Sequence, residues 1–275
     1  MSSWVRGNIF AAISAFGLGS IVVLALLAPY LGLADPTQID FALKLLPPSA
    51  EHWFGTDGLG RDIFSGVAHG ARVSLLVALG VVVIAAGIGI PIGLVAGYAG
   101  GWLDTIFMRI SDVFLAFPPL LLPITLSALL GPGLFNALIA VAISWFPWYA
   151  RIVRSTVLSV KSELYVQAAR AIGTPPFSIA VRHVLPNSLS PVIVQASMDF
   201  GFAILTTASL SFIGMGAVPP TVEWGLMVAS SRSVFLEYWW TAMFPGMAIF
   251  LTVFFANVLV DSIRDSLDPK LERKP

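Results

Sequence analysis

Four titratable residues cluster in and just after the stretch H-W-F-G-T-D-G-L-G-R-D-I-F-S-G at residues 52–66: His52, Asp57, Asp62 and His69. Imidazole and carboxylate groups are common metal ligands, so the set raises a metal site. Its spacing supplies no pair of ligands on one helix face. The glycines of the same stretch raise a phosphate cradle, but no Lys follows and no strand precedes. A simpler physical role is a tight turn at a membrane surface, in which Asp57, Arg61 and Asp62 pair with one another. Elsewhere, no G-x-x-x-x-G-K-[ST] occurs, so the chain carries no recognisable loop for ATP. No H-E-x-x-H or Ser/His arrangement falls in an apolar run, which leaves an intramembrane enzyme without support. One carboxylate remains. Asp199 lies inside an apolar run, where an ionisable group is usually functional. It is either a polar contact to a neighbouring helix or the proton or cation site of a stand-alone secondary transporter. Ser197, Thr206 and Asn257 are its expected polar neighbours.

The elements that must hold these groups are greasy. Of 275 residues, 57% are hydrophobic and 11% charged, and there is no cysteine. A soluble domain carries about 25% charged residues, so this chain requires lipid as solvent. The mean hydropathy of +0.88 says the same. A net charge of +0 argues against nucleic acid as a partner. Apolar runs predict an all-α integral membrane protein with six spans, at residues 8–31, 73–99, 112–130, 134–150, 192–215 and 241–260. Each is long enough, or nearly so, for about 30 Å of hydrocarbon. The first is too long for the core of a cleaved signal peptide. Gly89, Gly93 and Gly97 recur every four residues, so a second helix can approach that face closely. Pro91 should kink the helix. Residues 100–111 read as a short link, and Tyr238, Trp239 and Trp240 as an interfacial aromatic belt. With the N-terminus inside, eleven of the fifteen Lys and Arg fall in the cytoplasm. Lys44, Arg61, Arg72 and Arg232 fall outside. This split places both termini and the loop at about 161–190 in the cytoplasm.

That loop has a local design. Residues 164–172 are good helix formers, with Glu163 expected in the first turn and Arg170 in the last. Gly173 is expected at positive φ, closing the helix. Thr174 should cap a second helix with Pro175 at its first position. Pro186 and Pro191 should end that helix.

The same residues carry a resemblance. Gln167-Ala168-Ala169, Gly173 and His183-Val184-Leu185-Pro186 resemble the E-A-A…G…I-x-L-P signature of ABC importer membrane subunits, with Gln for the usual Glu and His for the usual Ile. Gly55-Thr56-Asp57, Gly60-Arg61-Asp62 and Ser65 are similar to the G-T-D-x-x-G-R-D-x-x-S-R segment of the peptide and nickel branch, with Gly66 replacing the final Arg. Residues 211–227 resemble that branch's S-F-L-G-L-G…P-P-x-x-E-W-G-x-M run. Asp261, Arg264, Asp265, Leu267, Asp268 and Pro269 resemble its closing D-x-x-R-D-x-L-D-P.

The resemblance implies a type I ABC importer permease in a bacterial inner membrane. Residues 1–72 would form a first helix and an extracytoplasmic segment, residues 73–265 the permease core, and residues 266–275 a cytoplasmic tail. The 161–190 loop, with Thr174, Pro175, Pro176 and Phe177 at its corner, would dock on an ATP-hydrolysing subunit. The Gln167 substitution removes a charge that the family can use there. Implied partners are a homologous second permease, two ATP-binding subunits holding ATP-Mg, and an extracytoplasmic binding protein. This chain would bind no cofactor and catalyse no reaction itself. The implied cargo is a dipeptide, a longer or D-amino-acid peptide, or a nickel chelate.

Overall fold

The computed structural model describes residues 3–267, with side chains from 9 to 262. The cations at 6, 264, 270, 273 and 274 that entered the charge count lie outside those side-chain limits, as do Asp268 and Pro269. Among the described residues the chain is helical and has no strand. Five helices are long and apolar enough to cross a membrane. They are α1 (Ser3–Leu27), α2 (Ile63–Ala99), α5 (Leu134–Val160), α9 (Ser190–Phe212) and α11 (Trp240–Leu267).

The third expected span is divided. Helix α3 (Gly101–Leu115) already occupies the supposed link, and α4 (Leu121–Leu130) follows a break. Pro118 and Pro119 explain the break: neither has an N–H, and each biases the residue before it away from helix. Neither helix is among the five candidate spans, and α4 is only a shorter apolar helix. Helix α2 also starts ten residues earlier than hydropathy suggests. Asp62 caps it by accepting from the backbone N–H of Ser65 at 2.7 Å, so the polar residues His69 and Arg72 ride on helix. The helix runs through Pro91 without interruption.

The packing centres on α2 and α5. A Cβ on Gly93 would lie 2.4 Å from the Ala150 carbonyl oxygen, and one on Gly89 2.6 Å from that of Phe146. At Gly97 it would meet Val157 at 2.8 Å. The three glycines do form one face, and the backbones touch there. Towards the Ile63 end of α2, Ala78, Val81 and Val82 pack with Val141, Ile204, Leu210 and Trp224. Towards its Ala99 end, Ala85, Tyr149, Val153 and Val157 pack with Val166, Ile179, Val184 and Val192. This second core joins the spans to the 161–190 loop.

The short helix α10 (Trp224–Ser230) lies between α9, α11 and α2. Buried Glu223 caps it, accepting from the N–H groups of Gly225 at 2.7 Å and Leu226 at 2.9 Å. Trp224 donates its indole N–H to the Val67 carbonyl on α2 at 2.9 Å. The aromatic belt is only partly as expected. Trp239 is half exposed, whereas Trp240 is buried and packs on Gly55.

Candidate docking surface and polar sites

The 161–190 loop begins with α6 (Leu164–Ala171). Gly173 follows at φ +80°. Its N–H donates to the Arg170 carbonyl at 3.0 Å, and that of Thr174 to the Ala169 carbonyl at 3.1 Å. This pair of bonds is a Schellman closure, which requires the left-handed conformation. The next helix, α7 (Pro176–Ile179), starts one residue later than expected: Pro175 is its cap residue and Pro176 its first position. Thr174 supplies no side-chain cap.

The segment does not end at Pro186 either. A π turn (Ala180–Val184) leads into α8 (Leu185–Ser188), and α9 begins at Ser190. Pro186 and Pro191 both occupy first-turn positions, where a missing N–H leaves nothing unmade. The wider π turn absorbs the register change, so the chain passes almost unbroken from α7 into α9.

The loop has two faces. Val166, Ala169, Ile179, Ala180 and Val184 are buried on the base of α5. Leu164, Ile172 and Phe177 point out, at 81%, 83% and 81% exposure. These three large apolar side chains are left uncovered by the rest of the described chain. Gln167 donates its amide to the Ser162 carbonyl at 2.9 Å, a bond that the usual Glu could not donate when ionised. His183 is half-buried, and its carbonyl accepts from Asn187 at 2.6 Å.

A charged hydrogen bond and two ion pairs fix the platform beneath. Lys161 donates to the Gly97 carbonyl at 2.8 Å, tying the ends of α5 and α2 together. Arg154 on α5 forks onto Asp104 of α3, with one arm at 2.6 Å. Arg151 pairs with Asp112. The hydrogen bond from Arg154 holds the Asp104 carboxyl below its ordinary range, against the opposing effect of burial.

Asp199 faces α5. It accepts from Gln195 on its own helix at 2.8 Å. The fully buried Tyr149 hydroxyl lies beside it without completing a hydrogen bond. The expected neighbours are elsewhere. Ser197 bonds back to the Ile193 carbonyl, and Asn257 lies against Gly201. Thr206 is buried but makes no side-chain hydrogen bond among the described residues. Gln195 was findable as the i−4 neighbour of Asp199. Tyr149, on another span, left no local signal.

The 52–66 stretch is a tightly cross-linked turn. Asp57 takes the guanidinium of Arg61 at 2.6 and 2.7 Å and two backbone N–H groups. Asp62 does not join them; it caps α2 and pairs with His52 at 2.9 Å. His69 instead turns to the Ser65 carbonyl at 3.0 Å, so the four titratable residues split into separate contacts. Buried Thr56 ties the turn to the 43–46 backbone. Gly55 and Gly60 take φ +75° and +76°, and a Cβ on Gly60 would collide with the Asp40 carbonyl.

Residues 89–273 match the family described as binding-protein-dependent transport system inner membrane component. The chain belongs to that family. This permease is 47% identical over 266 residues to the probable D,D-dipeptide transport system permease protein DdpC of Escherichia coli K12, covering 97% of this chain and 89% of that one. It is 45% identical to the dipeptide transport system permease DppC of Alkalihalophilus pseudofirmus, over 98% and 88% of the two chains. It is 43% identical to the glutathione transport system permease GsiD of Pectobacterium atrosepticum, over 98% and 89%. In fold it matches the inward-facing MetNI methionine ABC transporter with a TM-score of 0.60 at 18% identity, over 75% of this chain and 98% of that one. The permease is the multi-pass inner-membrane subunit of an ABC importer. Family membership does not favour a stand-alone carrier built on Asp199.

Proposed function

We propose that this permease forms half of a translocation path for small peptides and receives its driving force through the 161–190 loop. The observation that carries the reading is the two-faced loop. Its apolar ridge of Leu164, Ile172 and Phe177 is open, while its other face is fixed to α5 and runs straight into α9. A partner seated on the ridge moves both spans together, which suits rigid-body switching between two packings. The partners are then two ATP-binding subunits on the loop, a homologous second permease alongside, and an extracytoplasmic binding protein outside. ATP-Mg sits on the partners, this chain binds no nucleotide, and both termini lie in the cytoplasm. Peptide cargo is favoured over a nickel chelate because the similar permeases are named for dipeptides, D,D-dipeptides and glutathione.

The test is uptake of a labelled dipeptide by cells carrying the whole importer, under selective energy depletion. Uptake should stop when ATP is exhausted and continue when an uncoupler collapses the proton gradient with ATP maintained. The opposite pattern would overturn the ATP-driven reading, and uptake of nickel alone would overturn the peptide assignment.

A further inference from the structure

The outer turn and the segment before α11 enclose a cavity of about 400 Å³, within the range of about 300–1,000 Å³ typical of small-ligand pockets. Its charged lining is Lys44, Arg61, Asp57 and Asp62, two cations and two carboxylates. The two signs are not equally free. Asp57 already accepts four hydrogen bonds or ion-pair contacts, and Asp62 is held by the α2 cap and His52. Arg61 binds Asp57 through Nε and one terminal nitrogen only, and its Nη1 has no partner among the described residues. Lys44 is exposed at the rim and makes no ion pair among the described residues. The spare capacity is therefore for hydrogen-bond donation to a carboxylate, the contact for which a guanidinium is best shaped.

Gly66 adds an independent point. It lines the same cavity, and a Cβ there would lie 2.7 Å from the Met227 methyl. This is the position where the resembling segment carries Arg. With Gly here Met227 takes the space that a side chain at 66 would need, and position 66 adds no cation to the lining beside Arg61.

We propose that this cavity is an entry subsite that takes the free carboxylate end of a small zwitterionic peptide. Lys44 and the unpaired Nη1 of Arg61 bind the carboxylate, while Asp57 and Asp62 stay in their internal contacts and hold Arg61 and the turn in place. The proposal rests on the peptide reading given above.

The permease has no cysteine, so Ser233→Cys, at the exposed edge of the cavity, provides a single reporter. The assembled importer in nanodiscs, without its binding protein, is treated with N-ethylmaleimide, and label on the permease is read by mass spectrometry. Alanyl-alanine should slow labelling about threefold at twice its dissociation constant, since the free fraction is 1/(1 + [L]/Kd). Its C-terminal amide should not. Lys44→Glu should remove the protection and Lys44→Arg should restore it. Unchanged labelling in alanyl-alanine, or equal protection by the amide, would overturn the subsite. Protection by the purified binding protein but not by the dipeptide would reassign the cavity to protein docking and equally overturn it. Uptake of labelled alanyl-alanine by the full importer reports separately on cargo. Uptake without protection removes only the subsite, and absence of uptake removes the peptide reading whatever the labelling shows.

Discussion

At the scale of single residues, Gly173 and Asp199 make opposite demands. Nothing lies within 4 Å of a Cβ built on Gly173, so a substitution there meets strain and no clash. A β-branched residue in the left-handed region costs about 1–2 kcal/mol, roughly tenfold in the population of the closed corner. Gly173→Val should leave the permease inserted yet reduce uptake by about that factor, with Gly173→Asn much milder. Wild-type uptake by Gly173→Val would make Gly173 an ordinary loop residue. Asp199 serves as an acceptor for Gln195 beside a buried hydroxyl, and Asn can still accept. Asp199→Asn should retain uptake within about threefold of wild type, whereas Asp199→Leu leaves polar groups unpaired at about 1–3 kcal/mol each. Loss of all transport in Asp199→Asn, with normal membrane insertion, would instead assign the carboxylate a role in ion coupling.

At the scale of elements, the α2–α5 contact and the α3–α5 ion pair are separately testable. Gly93→Ala puts a methyl group against the Ala150 backbone and should destabilise by about 1–3 kcal/mol, as overpacking does. Gly87→Ala, on an open face of the same helix, should be neutral or slightly stabilising. Thermal unfolding in detergent compares the two, and equal midpoints would refute the close contact. For the ion pair the sign is fixed by the pKa of Asp104, which the hydrogen bond from Arg154 holds below its ordinary value. Its contribution is present above the unfolded value of about 3.9 and is lost as pH falls through the lower folded value. The gap in midpoint between wild type and Asp104→Asn should close as pH drops below about 4. A gap that instead widened in acid would contradict the assignment.

Much at this scale could be read from the chain. The glycine repeat located the helix contact, and the Gly173 corner needed only local bonding. Hydropathy misplaced the start of α2, because a helix leaving the hydrocarbon keeps its hydrogen bonds while its side chains turn polar. The run through Pro186 was hidden for a different reason. A π turn has no sequence period of its own, and proline marks both the end of a helix and its first turn. The separation of Asp62 from Asp57 and Arg61 depended on His52, ten residues away, which spacing alone could not choose.

At the scale of the whole molecule, orientation is the outstanding expectation. Single cysteines at Arg170 and Arg232 in this cysteine-free chain should label asymmetrically. An impermeant thiol reagent applied to intact cells should reach position 232 and not position 170. Labelling at 170 would invert the topology and remove the loop from the ATP side.

The length of α2 has a mechanical consequence. Thirty-seven residues make a rod of about 55 Å at about 1.5 Å per residue, and its backbone contact with α5 is near one end. Measured from Gly93, the arm towards Ile63 is about 45 Å and the arm towards Ala99 about 9 Å. Pivoting there as a lever, α2 would magnify displacement about fivefold from its Ala99 end to its Ile63 end. A rotation of about 10° would shift the Ala99 tip by less than about 2 Å and sweep the Ile63 tip through about 8 Å. A movement small enough for side chains to absorb at one tip would then carry the Asp62 cap at the other, and the turn it anchors, by more than the width of a methyl group.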